Sequence, residues 1–183
     1  MRDKLFTYVC KMKGASECPP RVRSGEIFWS WAGAFIGISL VGLVNEHRLA
    51  GTDLLLMIGS FGASAVLIYG AVESPLAQPR NLVGGHVLSA VIGVFCAQLL
   101  APHPWLAASL AVSTAIAAMH VTRTLHPPGG ATALIAVIGG PEIRGLGYGY
   151  ALAPVGLGVV LMLLVALVVN NIPERRRYPV FWL

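Results

Sequence analysis

Long apolar blocks separated by short polar segments dominate the chain. Six blocks can be delimited, at residues 27–44, 54–72, 82–101, 105–121, 131–138 and 148–169. Five of them approach the roughly 20 residues that an α-helix needs to cross a bilayer. The block at 131–138 is too short to span unless the residues before it are also buried. The pattern predicts an all-α membrane protein with about six transmembrane or half-membrane helices.

Composition supports this class. Hydrophobic residues make up 56% of the chain and charged residues 11%, with a mean hydropathy of +0.72, whereas soluble domains carry about 25% charged residues. The first 26 residues contain six Lys or Arg and no apolar core, so they predict a basic tail and not a cleavable signal peptide. We expect a tail at 1–26, a transmembrane domain at 27–170 and a second tail at 171–183.

The distribution of positive charge predicts the orientation. If loops alternate across six crossings, eleven of the 13 Lys and Arg fall on one side, and only Arg48 and Arg144 fall on the other. The positive-inside rule then puts both termini in the cytoplasm of a multi-pass protein of the cell inner (plasma) membrane. Basic residues that cluster beside spans, without interleaved aromatics, indicate the lipid bilayer as a partner and argue against nucleic acid.

Two similar stretches suggest an internal repeat. Gly-Ala-Ser-Ala-Val-Leu-Ile at 62–68 resembles Gly-Ala-Thr-Ala-Leu-Ile-Ala at 130–136, and residues 82–89 align with 146–153. Three crossings per copy would give two inverted three-helix repeats, about 27–101 and 105–169, as in many transporters. Chance similarity is the alternative, because small residues are common wherever membrane helices pack closely.

Each copy contains a helix breaker at the same place, Gly-Ser-Phe-Gly at 59–62 and His-Pro-Pro-Gly-Gly at 126–130. Pro127 forces His126 out of the helical region, and proline is tolerated in the first turn of a helix. We therefore expect broken helices near Gly62 and Gly130. A helix that begins inside the bilayer would aim unpaired N–H groups and a partial positive charge at a bound anion.

These breakers define a candidate substrate site. Its predicted members are Gly62, Ala63, Ser64, His126, Pro127, Pro128, Gly129, Gly130, Ala131 and Thr132. Ser64 and Thr132 occupy equivalent places, where their hydroxyls could donate to an anion or bond carbonyls of their own helices. A protonated His126 could offset an anion's charge, or His126 could simply fix the loop.

Other polar residues near the spans are secondary candidates. His86, His120 and His126 could couple a proton, because ionisable groups inside a membrane are costly and often functional, although packing histidines are the alternative. Gln78, Arg80 and Asn81 could form a gate or entrance, or Arg80 could be a topology anchor.

The tripeptide His126-Pro127-Pro128 and the stretch Ser-Pro-Leu-Ala-Gln-Pro-Arg-Asn at 74–81 resemble the HPP family of integral membrane proteins. The resemblance covers about residues 31–168 and implies a polytopic helical protein. Plant and cyanobacterial members are associated with nitrite transport across the plastid envelope or the corresponding bacterial membrane, so the resemblance suggests nitrite as the substrate.

The sequence thus predicts a permease or channel for a small inorganic anion, with nitrite as the candidate. The alternative is a non-transporting scaffold or sensor subunit that recruits a partner through its basic tails. The sequence contains no nucleophile elbow, no pair of intramembrane carboxylates and no phosphate-binding loop, so we do not expect an enzyme. The histidines and cysteines are not at the spacing of metal ligands, so we expect no metal or cofactor. A bundle this small predicts a homo-oligomer, with Gly33, Gly37 and Ser39 as candidate contacts.

Overall fold

The computed structural model describes residues 2–13, 18, 20–48 and 56–183, and within these ranges all regular structure is helical. The α-helices are α1 (Arg2–Cys10), α2 (Ser24–Arg48), α3 (Ser60–Ala65), α4 (Pro79–Leu99), α5 (Pro104–Val121), α6 (Pro127–Ile138), α7 (Pro141–Gly145) and α8 (Leu157–Val169). Short 3₁₀-helices cover Lys11–Lys13 and Pro75–Ala77, and π-helical segments cover Val66–Gly70 and Ala151–Gly156. The predicted all-α membrane class is confirmed.

Among the described residues, four helical segments are long and apolar enough to cross a membrane. They are Ser24–His47, Pro79–Leu99, Pro104–Val121 and Ala151–Val169. Proline occupies the first helical turn of α4, α5, α6 and α7, where its missing N–H costs no intrahelical hydrogen bond. These prolines therefore set the starts of α4, α5, α6 and α7.

The other two apolar helices, Ser60–Gly70 and Pro127–Ile138, are partial helices. The 12 residues of α6 span about 18 Å at 1.5 Å per residue, little more than half of a bilayer core of about 30 Å. Of the described residues in the predicted block at 54–72, only Ser60–Gly70 are helical, so the block is not a full span and its helix begins close to Gly62, as expected. Leu56 donates its N–H to Asn45 Oδ1 at 2.6 Å, which holds the segment before α3 against α2 in a non-helical conformation.

The helices of the two predicted repeats pack against each other in a reciprocal way. Helix α2 packs on α8 while α5 packs on α4, and α3 contacts α8 while α6 contacts α4. The first helix of each predicted repeat thus lies against the last helix of the other, as a two-fold relation between inverted copies requires. The repeat limits at 101 and 105 remain predictions.

Glycines allow the closest approaches between helices. A Cβ on Gly93 would lie 2.6 Å from the Ala133 carbonyl oxygen, so α4 and α6 meet there backbone to backbone. Gly33 and Gly37 face the ring of Tyr69 within the same chain, since a Cβ on Gly33 would lie 2.7 Å from Tyr69 Cδ1. Their predicted role as contacts between subunits is therefore wrong, because Tyr69 already fills the groove.

The chain after α8 folds back on the bundle. We call residues 171–180 the C-terminal strap. The Tyr178 hydroxyl donates to the Ala77 carbonyl at 2.8 Å, and the Val180 N–H donates to Gln78 Oε1 at 2.7 Å. Burial raises the pKa of the Tyr178 phenol, so it remains a neutral donor at physiological pH. The predicted tail is docked along these residues.

Candidate functional site

The two partial helices overlap at their first turns and run in opposite directions. The Ser60 and Thr132 hydroxyl oxygens are 2.9 Å apart, and Ser64 Oγ lies 3.1 Å from His126 Nε2. From Ser60 to Ser64 along α3, the contacting residues go back from Thr132 to His126, so the two helices are antiparallel. Both amino ends are buried, as shown by Phe61 in α3 and Gly129 in α6.

A buried polar cluster occupies this overlap, and it consists of Ser60, Ser64, His86, His126 and Thr132. None of the five side chains is more than 1% exposed. Ser64 Oγ lies 2.7 Å from His86 Nε2, and Thr132 Oγ1 lies 2.7 Å from His86 Nδ1. The cluster is therefore closed to solvent in this conformation, and every member has a polar partner.

His86 joins the two partial helices. It projects from α4, and its two ring nitrogens contact the hydroxyls of Ser64 in α3 and Thr132 in α6. These hydroxyls occupy equivalent positions in the two predicted repeats. Ser64 and Thr132 also lie 3.3 and 3.2 Å from the carbonyls of Ser60 and Pro128, so each hydroxyl proton has a second acceptor within its own helix.

The Leu76 carbonyl sets the direction of the network when both imidazoles are neutral. His126 Nδ1 lies 2.8 Å from this oxygen, which can only accept, so Nδ1 carries the proton and Nε2 accepts. Ser64 then donates to His126 Nε2 and accepts from His86 Nε2–H. His86 Nδ1 consequently accepts from the Thr132 hydroxyl.

Neighbouring residues hold the cluster in place. The Phe61 ring stands edge-on to His86 at a centroid distance of 5.8 Å, and the Tyr150 hydroxyl donates to the Thr132 carbonyl at 3.1 Å. Sequence reasoning missed Tyr150. The alignment of residues 82–89 with 146–153 contained the signal, because it pairs His86 with Tyr150.

The predicted entrance residues fix the loop around His126. Gln78 is buried, and its amide donates to the carbonyls of Val72 and Ser74 at 3.0 and 2.8 Å. Asn81 Nδ2 donates to the Leu125 carbonyl at 2.8 Å, next to His126. Arg80 donates to the Thr122 carbonyl at 2.9 Å, in the turn before that loop. In this conformation all three side chains hold neighbouring backbone.

Several predicted substrate residues lie outside the cluster. Gly62, Ala63 and Pro127 are exposed, and Gly130 and Ala131 are half-buried. Gly129 is the crowded glycine, since a Cβ there would lie 2.8 Å from Ser89 Oγ, whereas a Cβ on Gly130 would meet only Val112 Cγ1 at 3.9 Å. The helix break predicted near Gly130 lies at Pro127, and the residue of α6 that comes closest to α4 here is Gly129 and not Gly130.

Two further findings concern the backbone N–H groups at the starts of the partial helices and the position of His120. The N–H groups of Phe61, Gly62 and Gly129 donate to carbonyls three residues earlier, so side chains supply most polar groups at the overlap. His120 is exposed at the end of α5, outside the cluster. In the described part of the chain, no three His, Cys, Asp or Glu side chains come close enough to hold a metal ion.

Four bilayer-length helices, two partial helices and a buried polar cluster define a multi-pass all-α membrane protein. The family described as HPP, transmembrane region, matches residues 19–179, and the chain belongs to this family. The family resemblance found in the sequence is thereby confirmed.

Curated relatives include two transmembrane proteins of Dictyostelium discoideum. One is 48% identical over 97% of this chain, and the other is 45% identical over 92%. The chain spans only 58% and 60% of their respective lengths. No solved structure matches the chain.

Proposed function

We propose that the protein is a permease or channel for a small inorganic anion, with nitrite as the substrate, and not an enzyme. The observation that carries the proposal is the buried polar cluster, in which two imidazoles and three hydroxyls lie fully inside a membrane bundle. Ionisable side chains are costly at this depth and mark ion or substrate pathways by default. The overlap of two partial helices is also the typical place for such a site in transporters.

The chemistry of the cluster suits an anion of this kind. Nitrite is planar and offers only acceptor atoms, so a site for it must supply donors. The hydroxyls of Ser64 and Thr132 and the N–H of His86 are such donors once they turn away from one another. The amino ends of α3 and α6 add partial positive charge nearby. Binding therefore requires an open conformation in which the bonds inside the cluster are exchanged for bonds to the anion.

The strap side of the bundle is the side from which we propose that the anion enters. A cavity of about 350 Å³ lies among Glu26, residues 70–74, Arg175 and Arg176. Its wall includes Val72 and Ser74, whose carbonyls Gln78 binds, and the same loop continues to the Leu76 carbonyl on His126. We propose this cavity as a vestibule, with Gln78, Arg80 and Asn81 controlling the loop between it and the cluster.

Nitrite uptake into proteoliposomes tests the function. Ser64→Ala removes the hydroxyl that contacts both imidazoles, and we expect uptake to fall by about tenfold, the size of one lost hydrogen bond of about 1.4 kcal/mol. Ser113→Ala is the matched control, because its hydroxyl also bonds the carbonyl four residues earlier, at 2.8 Å, but is exposed. Wild-type uptake no faster than in protein-free vesicles at any pH gradient would exclude the proposal.

We further propose a location in the cell inner (plasma) membrane with both termini cytoplasmic, and assembly as a homo-oligomer. Cys18 is exposed, whereas Cys96 is buried in α4. A membrane-impermeant maleimide should therefore label the protein only after cells are permeabilised, with the double variant Cys10→Ser Cys18→Ser giving the background, because Cys10 is only half-buried. Strong labelling of Cys18 in intact cells would reverse the orientation.

A scaffold or sensor subunit is the second candidate. Helix α1 exposes Phe6 and Val9 and also carries Lys4, a composition suited to a partner or an anionic surface. Deletion of residues 1–18 separates the two functions, because transport should survive the deletion while recruitment of a partner should be lost.

A further inference from the structure

One hydroxyl is shared by the two imidazoles of the buried polar cluster. Ser64 Oγ contacts Nε2 of His86 and Nε2 of His126, and the ring centroids are 4.9 Å apart. Because His126 Nδ1–H is committed to the Leu76 carbonyl, the basic nitrogen left on His86 is Nδ1, which faces the Thr132 hydroxyl. His126 Nε2 also keeps a lone pair and faces the Ser64 hydroxyl, so an added proton has two places to bind within the pair, one on each ring.

The network accepts that proton without losing a hydrogen bond from the imidazoles. When His86 Nδ1 is protonated, the Thr132 hydroxyl turns to accept, and its own proton points to Ser60 Oγ at 2.9 Å or to the Pro128 carbonyl at 3.2 Å. A second proton on His126 would place two positive rings 4.9 Å apart, which like-charge repulsion disfavours. The capacity of the pair is therefore one proton.

The described residues supply no fixed counter-charge for this proton. The groups that face the two rings are the Phe61 ring from α3, the Ser64 and Thr132 hydroxyls, and the Leu76 carbonyl, while Tyr150 contacts the Thr132 carbonyl. The carboxylate of Glu26 is paired with Arg176. The exposed carboxylates are Glu46, Glu73, Glu142 and Glu174. A charged imidazole in a bundle of low polarity needs an opposite charge beside it.

We propose that a proton is the co-substrate, and that one proton, held on the His86–His126 pair, crosses the membrane with each anion. The inference rests on the proposed function. As the anion enters, a hydronium ion gives its proton to His86 Nδ1 or His126 Nε2, so that one O–H bond breaks and one N–H bond forms. As the anion leaves, the N–H bond breaks and the proton returns to a water molecule as hydronium, and nitrite is neither oxidised nor reduced. Movement of the pair is electrically neutral.

Proteoliposomes that contain the full chain test the coupling. Nitrite is added outside, the membrane potential is set with potassium and valinomycin, and a trapped pH dye reports the lumen. Protein-free vesicles give the background carried by nitrous acid through the lipid. We expect protein-dependent uptake that does not change with potential and acidifies the lumen by one proton per nitrite. Uptake that follows the potential without acidification would overturn the coupling but leave the permease intact, whereas absence of uptake would overturn the permease itself.

A variant assigns the proton to the pair. The double variant His86→Gln His126→Gln keeps a donor and an acceptor at each position but cannot take up a proton, so we expect uptake to fall by about tenfold or more and the remainder to follow the potential. His103→Gln, at an exposed position before α5, should behave as wild type. Proton-coupled uptake that persists in the double variant would overturn the assignment. If this variant fails to insert, the wild-type measurement still decides the coupling.

Discussion

Gly129→Ala is expected to destabilise the protein and abolish nitrite uptake, whereas Gly130→Ala will slightly stabilise it. A Cβ on Gly129 would lie 2.8 Å from Ser89 Oγ and 2.9 Å from the Gly85 carbonyl oxygen. Both contacts belong to α4, and one of them is backbone, so the two helices must separate, at a cost of about 1–3 kcal/mol. The separation would also move Thr132 and His126 away from His86.

Gly130 supplies the matched control. A Cβ there would touch only Val112 Cγ1 at 3.9 Å, and alanine in a helix is about 0.5–1 kcal/mol more favourable than glycine. The midpoints of thermal unfolding in detergent, followed by tryptophan fluorescence, should therefore shift in opposite directions for the two variants. Equal midpoints would contradict the close approach of α4 and α6 at Gly129.

Arg176→Leu should release the C-terminal strap. The guanidinium donates to the Glu26 carboxylate at 2.8 Å, to the Glu26 carbonyl and Ser30 Oγ at 2.9 Å each, and to Tyr69 O and Asn170 Oδ1 at 3.3 Å each. Breaking a buried ion pair costs about 3–5 kcal/mol, and because the Glu26 side chain is 39% exposed we expect the loss to lie at or below the low end of this range.

Hydrogen exchange across residues 171–180 measures the release, together with the midpoint of thermal unfolding. Arg177→Leu changes an exposed neighbour of the same charge and should leave both measurements as in wild type. A strap that stays protected in Arg176→Leu would show that Tyr178 and Val180 alone are sufficient to hold it on the loop at Ala77 and Gln78.

Local sequence rules were enough to predict where the second partial helix begins. Pro127 excludes a helical conformation at His126, which the structure shows as extended, with φ −141° and ψ 105°. The alignment of two short stretches also predicted that Ser64 and Thr132 would be equivalent, and both contact His86. These features depend on the residue itself and its immediate neighbours, so they can be read from a single sequence.

Features that depend on distant parts of the chain were not predictable. Arg176 binds Glu26 across a separation of 150 residues, and the Leu76 carbonyl meets His126 across 50. The crowding at Gly129 depends on how closely α4 approaches, which no pattern within α6 reveals. The break in the last span was missed for another reason. Pro154 marks it in the sequence, and Ala153 has non-helical backbone angles, but the apolar block there hid the signal.

Two positions that align in the predicted repeats carry different chemical groups. The alignment pairs His86 with Tyr150, and while the imidazole bonds the Thr132 hydroxyl, the phenol bonds the Thr132 carbonyl. A perfectly two-fold pathway would have to conduct at equal rates inward and outward under mirrored conditions. In the proposed permease this asymmetry removes that constraint, so the rates of anion passage in the two directions can differ while the equilibrium distribution is unchanged.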